Sequence, residues 1–300
     1  MSKPHCENVK ALESDVSAAN AGNHHALERV IRAIEGDVYG LALRFCWHPQ
    51  DAEDATQEIL IKVLTNLGSF RGESGFKTWV YRIASNTLIT MKKKRMEAQA
   101  MTFDAFADDL ACGQTNRFQL SECDMDENLL LEEVKIGCTQ AMLLCLDRKH
   151  RLAYILGEII GIDHGEAAVA MEITPATYRK QLSRARRSIL QFMKSQCGLV
   201  NPRNSCRCEK RVDAAVRLGR VDPKKPRFAH SLAHAKSFPL VLEEIRRLEF
   251  ARRITALYRS HPAPVPSQRF SDWISWLVNR VRTSGASPSL DDYTQIHRKY

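Results

Sequence analysis

An all-α fold is predicted for this 300-residue chain. Three observations predict it. No stretch sustains the alternation of apolar and polar residues that a half-buried strand requires. Apolar residues recur instead at helical spacing through most of the sequence. Pro49, Pro202 and Pro262 fall where those periodic runs stop. The expected architecture is two small helical domains joined by an acidic linker, plus a helical C-terminal extension.

Residues 1–22 are polar and are read as a flexible N-terminus. A first domain is assigned to 23–96. Its first helix carries Leu27, Val30, Ile31, Ile34, Val38, Leu41 and Phe45 at helical spacing, and Pro49 stops it. Asp51 is expected to cap a second helix, DAEDATQEILIKVLTNL, whose acidic first turn suits the positive end of the helix dipole. The segment GSFRGESG reads as a loop, and a third helix is expected from Phe76 to Lys93, ending in the run Lys92–Arg95. Residues 97–140 form the acidic linker, with Asp104, Asp108, Asp109, Glu122, Asp124, Glu132 and Glu133 and almost no basic residue before Lys135. A second domain covers 141–197, and the extension covers 198–300. Within the extension one amphipathic helix is expected over 238–258, followed by a short helix carrying Trp273 and Trp276.

The segment Asp147 to Met193 has the layout of a helix-turn-helix with a basic second helix. Thr174 suits the N-cap and Pro175 the first helical position. Tyr178, Leu182, Ala185 and Ile189 fall on one stripe and are expected to pack inward. Thr177, Arg179, Lys180, Ser183, Arg184 and Arg187 are the candidates for duplex DNA. A guanidinium binds guanine O6 and N7 in a bidentate way, worth roughly 1–3 kcal/mol of discrimination per pair. Arg186 and Arg187 sit further round and suit phosphates. A solvated basic face on a structural helix fits the same residues. Glu172 occupies a turn position where such motifs often carry Gly, and it fits poorly if a left-handed backbone is required there.

A net charge of +9 and a pI near 9.1 favour a polyanionic partner without selecting one. The nine cysteines are mostly scattered, and the first residues lack an apolar signal region, which reads as reduced cytoplasmic thiols. No apolar run approaches membrane-spanning length. There is no HExxH, no Gly-rich phosphate loop and no nucleophile elbow, so no enzyme class is supported.

Three pieces, DAEDATQEI, FRGESGFKTWVYRIASN and TYRKQLSRAR, in that order and with an acidic connector between, strongly resemble bacterial RNA polymerase sigma factors of the extracytoplasmic-function type. The resemblance covers roughly residues 24–195. It implies sigma region 2 upstream and region 4 downstream. It also implies a protein that binds core RNA polymerase, recognises promoter DNA and promotes strand opening, with an anti-sigma factor as a further partner of the family type. No membrane partner is implied. Asp54, Gln57 and Glu58, at i, i+3 and i+4, share a polar helix face that the resemblance assigns to core polymerase. Phe70, Arg71, Phe76, Lys77, Thr78, Trp79 and Arg82 combine rings and cations as single-stranded DNA binding needs. The resemblance adds Asn86 as a base contact and a pocket for an extruded base, whose unstacking costs a few kcal/mol. Trp79 also fits a core position. The main rival is a stand-alone helix-turn-helix regulator that is not a polymerase subunit.

A minimal member of this group ends near Cys197, so the extension is additional. Cys197, Cys206 and Cys208 leave three readings open. They are inert structural thiols, a zinc or other metal site with His230 or His234 as fourth ligand, or a redox switch in which nearby Arg and Lys lower the thiol pKa. No cofactor is otherwise expected. The extension itself reads either as a fused regulator packed on one of the DNA-binding domains or as an accessory module.

Overall fold

A computed structural model describes residues 3–92, 101–112 and 125–284. Among these the regular structure is helical, and an isolated bridge joins Cys197 and Cys206. The basic residues after Lys92, and Glu122 and Asp124 of the linker, lie outside the described residues.

The N-terminal segment is helix α1 (Lys3–Asn20), where a flexible end was expected. Leu12 and Val16 are one turn apart and buried, and Asp15 pairs with Arg29 of α2 (His24–Cys46) at 2.5 Å. That apolar stripe explains why the segment docks. Asn23 caps α2 by accepting from Ala26 N at 3.1 Å. α2 ends at Trp47, whose φ is +67°. Pro49 then opens α3 (Pro49–Thr65) as its first residue, so Asp51 sits in the first turn and His48 holds the cap position. A single 3-10 turn (Leu67–Ser69) leads into the loop before α4 (Phe76–Thr90). α4 stops three residues short of the expected Lys93. Arg148 takes two carbonyls at its end, Ile89 O at 2.8 Å and Met91 O at 2.6 Å.

The acidic linker is more ordered than its composition implies. Helix α5 (Phe103–Cys112) was not expected from the sequence. It buries Phe106 and Leu110, and Phe106 stacks on Phe192 at 5.4 Å. Helix α6 (Glu127–Leu144) is capped by Asp126 and carries Glu132 and Glu133 inside the protein.

Helix α7 (Arg148–Tyr154) continues as a π-helical turn (Ile155–Ile160) and leads through α8 (His164–Ala170) to α9 (Pro175–Gln196). A side chain at Gly157 would collide with the Tyr178 hydroxyl and Leu182, so the close approach of α9 requires glycine there. Tyr178, Leu182, Ala185 and Ile189 are all buried, on the stripe their spacing indicated.

The extension contains α10 (Cys208–Arg217), α11 (Leu232–Arg247), α12 (Phe250–Arg259) and α13 (Gln268–Ser284). The single helix expected over 238–258 is therefore two. Leu248 is extended, at φ −72° and ψ 158°, and its carbonyl accepts from Arg253 Nε at 2.9 Å. The break re-aims α12 so that Ile254, Leu257 and Tyr258 enter the core. The extension meets the acidic linker by charge. Asp109 of α5 accepts from Arg211 at 2.9 Å and from Arg220 at 2.6 and 3.0 Å.

Candidate nucleic-acid interface

Helix α9 is held at its start by Thr174, whose Oγ1 accepts from Thr177 N at 3.2 Å. Tyr178 anchors the inner side by donating to Ala153 O at 3.1 Å. The outer side carries Arg179, Lys180, Ser183, Arg184 and Arg187, all exposed and lining one open groove with Ala176. Thr177 is exposed, with its hydroxyl 2.9 Å from that of Thr174. Arg186 leaves this face, because Glu158 of the π-helical turn binds it as an ion pair. It was expected to suit phosphates, and here it serves inside the chain.

The loop and α4 place their expected residues unevenly. Phe70, Phe76 and Trp79 form one ring cluster, with centroids 5.3 to 5.7 Å apart. Phe76 and Trp79 are 2 % and 5 % exposed. They are core residues, not open stacking platforms. Apolar helix positions beside α2 and α3 draw large rings inward, which favours the core reading that Trp79 also allowed. Thr78 is buried as well. Arg71 and Lys77 are exposed, and Lys77 pairs with Asp37 at 2.7 Å. Trp79, Arg82 and Asn86 share a shallow groove with Lys62, Asn66 and Thr90. That groove offers one ring edge, cations and amide donors, which suits a single strand.

Helix α8 of the helix-turn-helix packs across α4. Thr78 donates to Glu166 at 3.3 Å, and Asn86 donates to Glu172 at 3.0 Å. Glu172 has φ +53°, the left-handed conformation that costs an ordinary residue about 1–2 kcal/mol. The expectation that Glu fits this turn poorly is realised in the backbone. Its side chain spans the gap to the other domain, a contact that no local pattern could show.

On α3, Asp54 and Gln57 are half-buried and Glu58 is exposed. Glu58 pairs with Lys62 one turn later at 2.6 Å, and Lys62 also reaches the Thr87 hydroxyl at 3.1 Å. One position before Asp54, Glu53 accepts from Ser267 N at 2.7 Å, so the extension reaches this face.

Cys197, Cys206 and Cys208 line an apolar cavity of about 80 Å³ with Cys138, Trp47 and Phe106. Cys138 comes from α6, some sixty residues upstream, where spacing could not reveal it. Burial pushes all four thiols up, and Cys206 sits at about 11. The expected lowering by nearby Arg and Lys is thus reversed: desolvation outweighs Arg211 and Arg207 at Cys206. Among the described residues no group of three or more His, Cys, Asp or Glu is placed to hold a metal ion.

An exposed basic helix after a tight turn, with a second groove carrying Arg82 and Lys62 beside it, gives this all-α protein the layout of the helix-turn-helix class of DNA-binding proteins. Comparison with known proteins narrows this. The Sigma-70 region 2 family matches residues 30–97. The RNA polymerase sigma-H factor of Pseudomonas aeruginosa is 29% identical over 180 residues, spanning 58% of this chain and 89% of that protein. The ECF RNA polymerase sigma-E factor of Escherichia coli K12 is 30% identical over 178 residues, spanning 58% and 90%. The same factor of Salmonella typhimurium LT2 gives the same figures. A solved structure of the sigma factor RpoE with the anti-sigma factor NepR from Bartonella quintana aligns at TM-score 0.39 and 20% identity, over 56% of this chain and 96% of that one. The chain belongs to the extracytoplasmic-function RNA polymerase sigma factors. It acts with core RNA polymerase and promoter DNA in transcription initiation, which displaces the stand-alone regulator.

Proposed function

We propose that each step of sigma activity falls to a named surface. Asp54, Gln57 and Glu58 on α3 dock core polymerase. Arg71, Lys77, Arg82 and Asn86, with Phe70 and the edge of Trp79, hold the downstream promoter element as single strand. Thr78 and Phe76 support that groove from inside. Thr177, Arg179, Lys180, Ser183, Arg184 and Arg187 read the upstream element as duplex. The observation that carries this reading is the α9 groove, in which the exposed side chains of Arg179, Lys180, Ser183, Arg184 and Arg187 converge. The protein is proposed to perform no chemistry of its own and to work in the cytoplasm, with an anti-sigma factor as an additional partner. Among the described residues no helix is long and apolar enough to cross a membrane. The cavity thiols are proposed as structural, because they line an apolar cavity between α6 and the start of the extension.

The test separates the surfaces. Gln57→Ala with Glu58→Ala should weaken capture of purified core polymerase by about tenfold while leaving duplex DNA binding intact. Arg184→Ala should do the reverse and lower the salt dependence of duplex binding by about one ion. Equal loss of both activities in either variant would contradict the assignment.

A further inference from the structure

The extension begins where the basic helix ends. Along α9, Lys180, Arg184, Arg187, Gln191 and Lys194 recur three and four residues apart and are all exposed, so they form one stripe. From Lys180 to Lys194 the stripe runs roughly 21 Å, at about 1.5 Å per residue. The α9 groove ends at Arg187. The rest of the stripe leads to the loop 201–207, the first turn of chain beyond the helix-turn-helix.

That loop is folded onto the last turn of α9. Asn201 Nδ2 donates to Lys194 O at 2.9 Å. Asn204 Nδ2 donates to Lys194 O at 3.1 Å and to Cys197 O at 3.2 Å. Arg207 donates to the carbonyls of Pro202 and Cys206, each at 2.9 Å, and to that of Asn204. Cys197 and Cys206 pair as a bridge. Gly198 lies so close under it that a Cβ there would be 2.1 Å from the Cys206 carbonyl oxygen. From α12, Arg253 donates to Val200 O at 3.2 Å. A loop held at so many points has little conformational freedom left to lose on binding. It displays Arg203 and Ser205 to solvent. The C-terminal end of a helix carries partial negative charge, which repels phosphate. Here two asparagine amides occupy its last carbonyls, and Arg203 adds a cation beyond them. The end of α9 is thereby turned from a surface that repels phosphate into one that attracts it.

We propose that Lys194 and Arg203 form a phosphate-binding site that carries the DNA surface of α9 on into the extension, so that the duplex is held beyond the bases α9 reads. This rests on the assignment of α9 to duplex DNA. The ligand is the sugar-phosphate backbone, recognised by charge, so the site adds affinity and no sequence preference.

The test uses the full chain with core polymerase on a promoter fragment that the wild type transcribes, and reads affinity against salt. Arg203→Ala and Lys194→Ala should each lower the slope of log affinity against log salt by about one, and weaken binding roughly five- to tenfold at about 0.1 M salt. The loss should be the same on fragments with substituted upstream bases, because phosphates carry no sequence. Arg203→Lys keeps the charge and should keep the slope, which a merely structural role for the arginine would not predict. An unchanged slope in either alanine variant overturns the site, and so does a loss that varies with base sequence. Weaker capture of core polymerase by Arg203→Ala, with the slope unchanged, would give the loop a protein partner and overturn the site as well. Arg184→Ala tests the α9 assignment separately: if it binds and transcribes like wild type, that assignment fails whatever Arg203→Ala does.

Discussion

Arg151 donates Nη1 to the carbonyl of Phe45 at 2.9 Å, joining the helix-turn-helix to the end of α2 across 106 residues of sequence. The same guanidinium serves Leu143 O at 3.0 Å, Leu144 O at 3.4 Å and Leu146 O at 3.0 Å, and lies over the Phe45 ring. It is 4 % exposed, so these carbonyls lose their donor if it is removed. Arg151→Ala should cost about 3–5 kcal/mol in urea unfolding. Arg151→Lys should recover little, because an ammonium lacks the planar fork that meets four acceptors. A loss below about 1 kcal/mol for Arg151→Ala would contradict this role.

Glu133 is the socket of the extension. Its buried carboxylate accepts from the backbone N–H of Arg227, Phe228 and Ala229, each at 2.8 Å. Glu133→Ala leaves those donors without an acceptor and should cost about 2–4 kcal/mol. Limited proteolysis should then cut between 198 and 231 before the rest of the chain. Cleavage at the wild-type rate would show that the socket does not hold the extension.

His261 links stability to pH. Its Nε2 lies 3.1 Å from Thr139 Oγ1, and its ring packs 5.8 Å from that of Tyr258. Desolvation first, then the charges of Lys135, Arg44 and His234, hold it well below its usual value of 6.5. Below about pH 6.5 the unfolded chain gains a proton that the folded chain refuses, so stability falls as pH falls toward the depressed value. The urea midpoint should drop between about pH 7.5 and 5.5, and His261→Gln should flatten that slope. Identical slopes for both proteins would refute the linkage.

The cavity thiols should be slow nucleophiles. Cys206, at about 11, has little thiolate at pH 8. Its alkylation should run roughly a hundredfold below that of an ordinary thiol, and unfolding should abolish the difference. Exposed Cys112 serves as the internal reference. Equal labelling of Cys112 and Cys206 in the folded chain would show that burial does not control this site.

What was legible in the sequence is what local periodicity and capping specify. Thr174, Pro175 and the stripe from Tyr178 to Ile189 marked α9, because a helix buries residues three and four apart. Contacts between distant segments have no such period. Cys138 joins the cysteine cavity from α6, and Arg186 turns from DNA toward Glu158. The linker acids are also explained only in three dimensions. Asp109 and Glu133 read as solvated charge, yet each grips the extension that follows a hundred residues later. The N-terminal helix was missed because Leu12 and Val16 are a sparse stripe that only α2 completes.

Run-off transcription with purified core polymerase on genomic fragments, over a range of salt, tests the central claim most directly. The account predicts discrete transcripts that depend on the added chain, weaken as salt displaces its phosphate contacts, and vanish with Arg179→Ala plus Arg184→Ala. No transcript above core polymerase alone at any salt would contradict it.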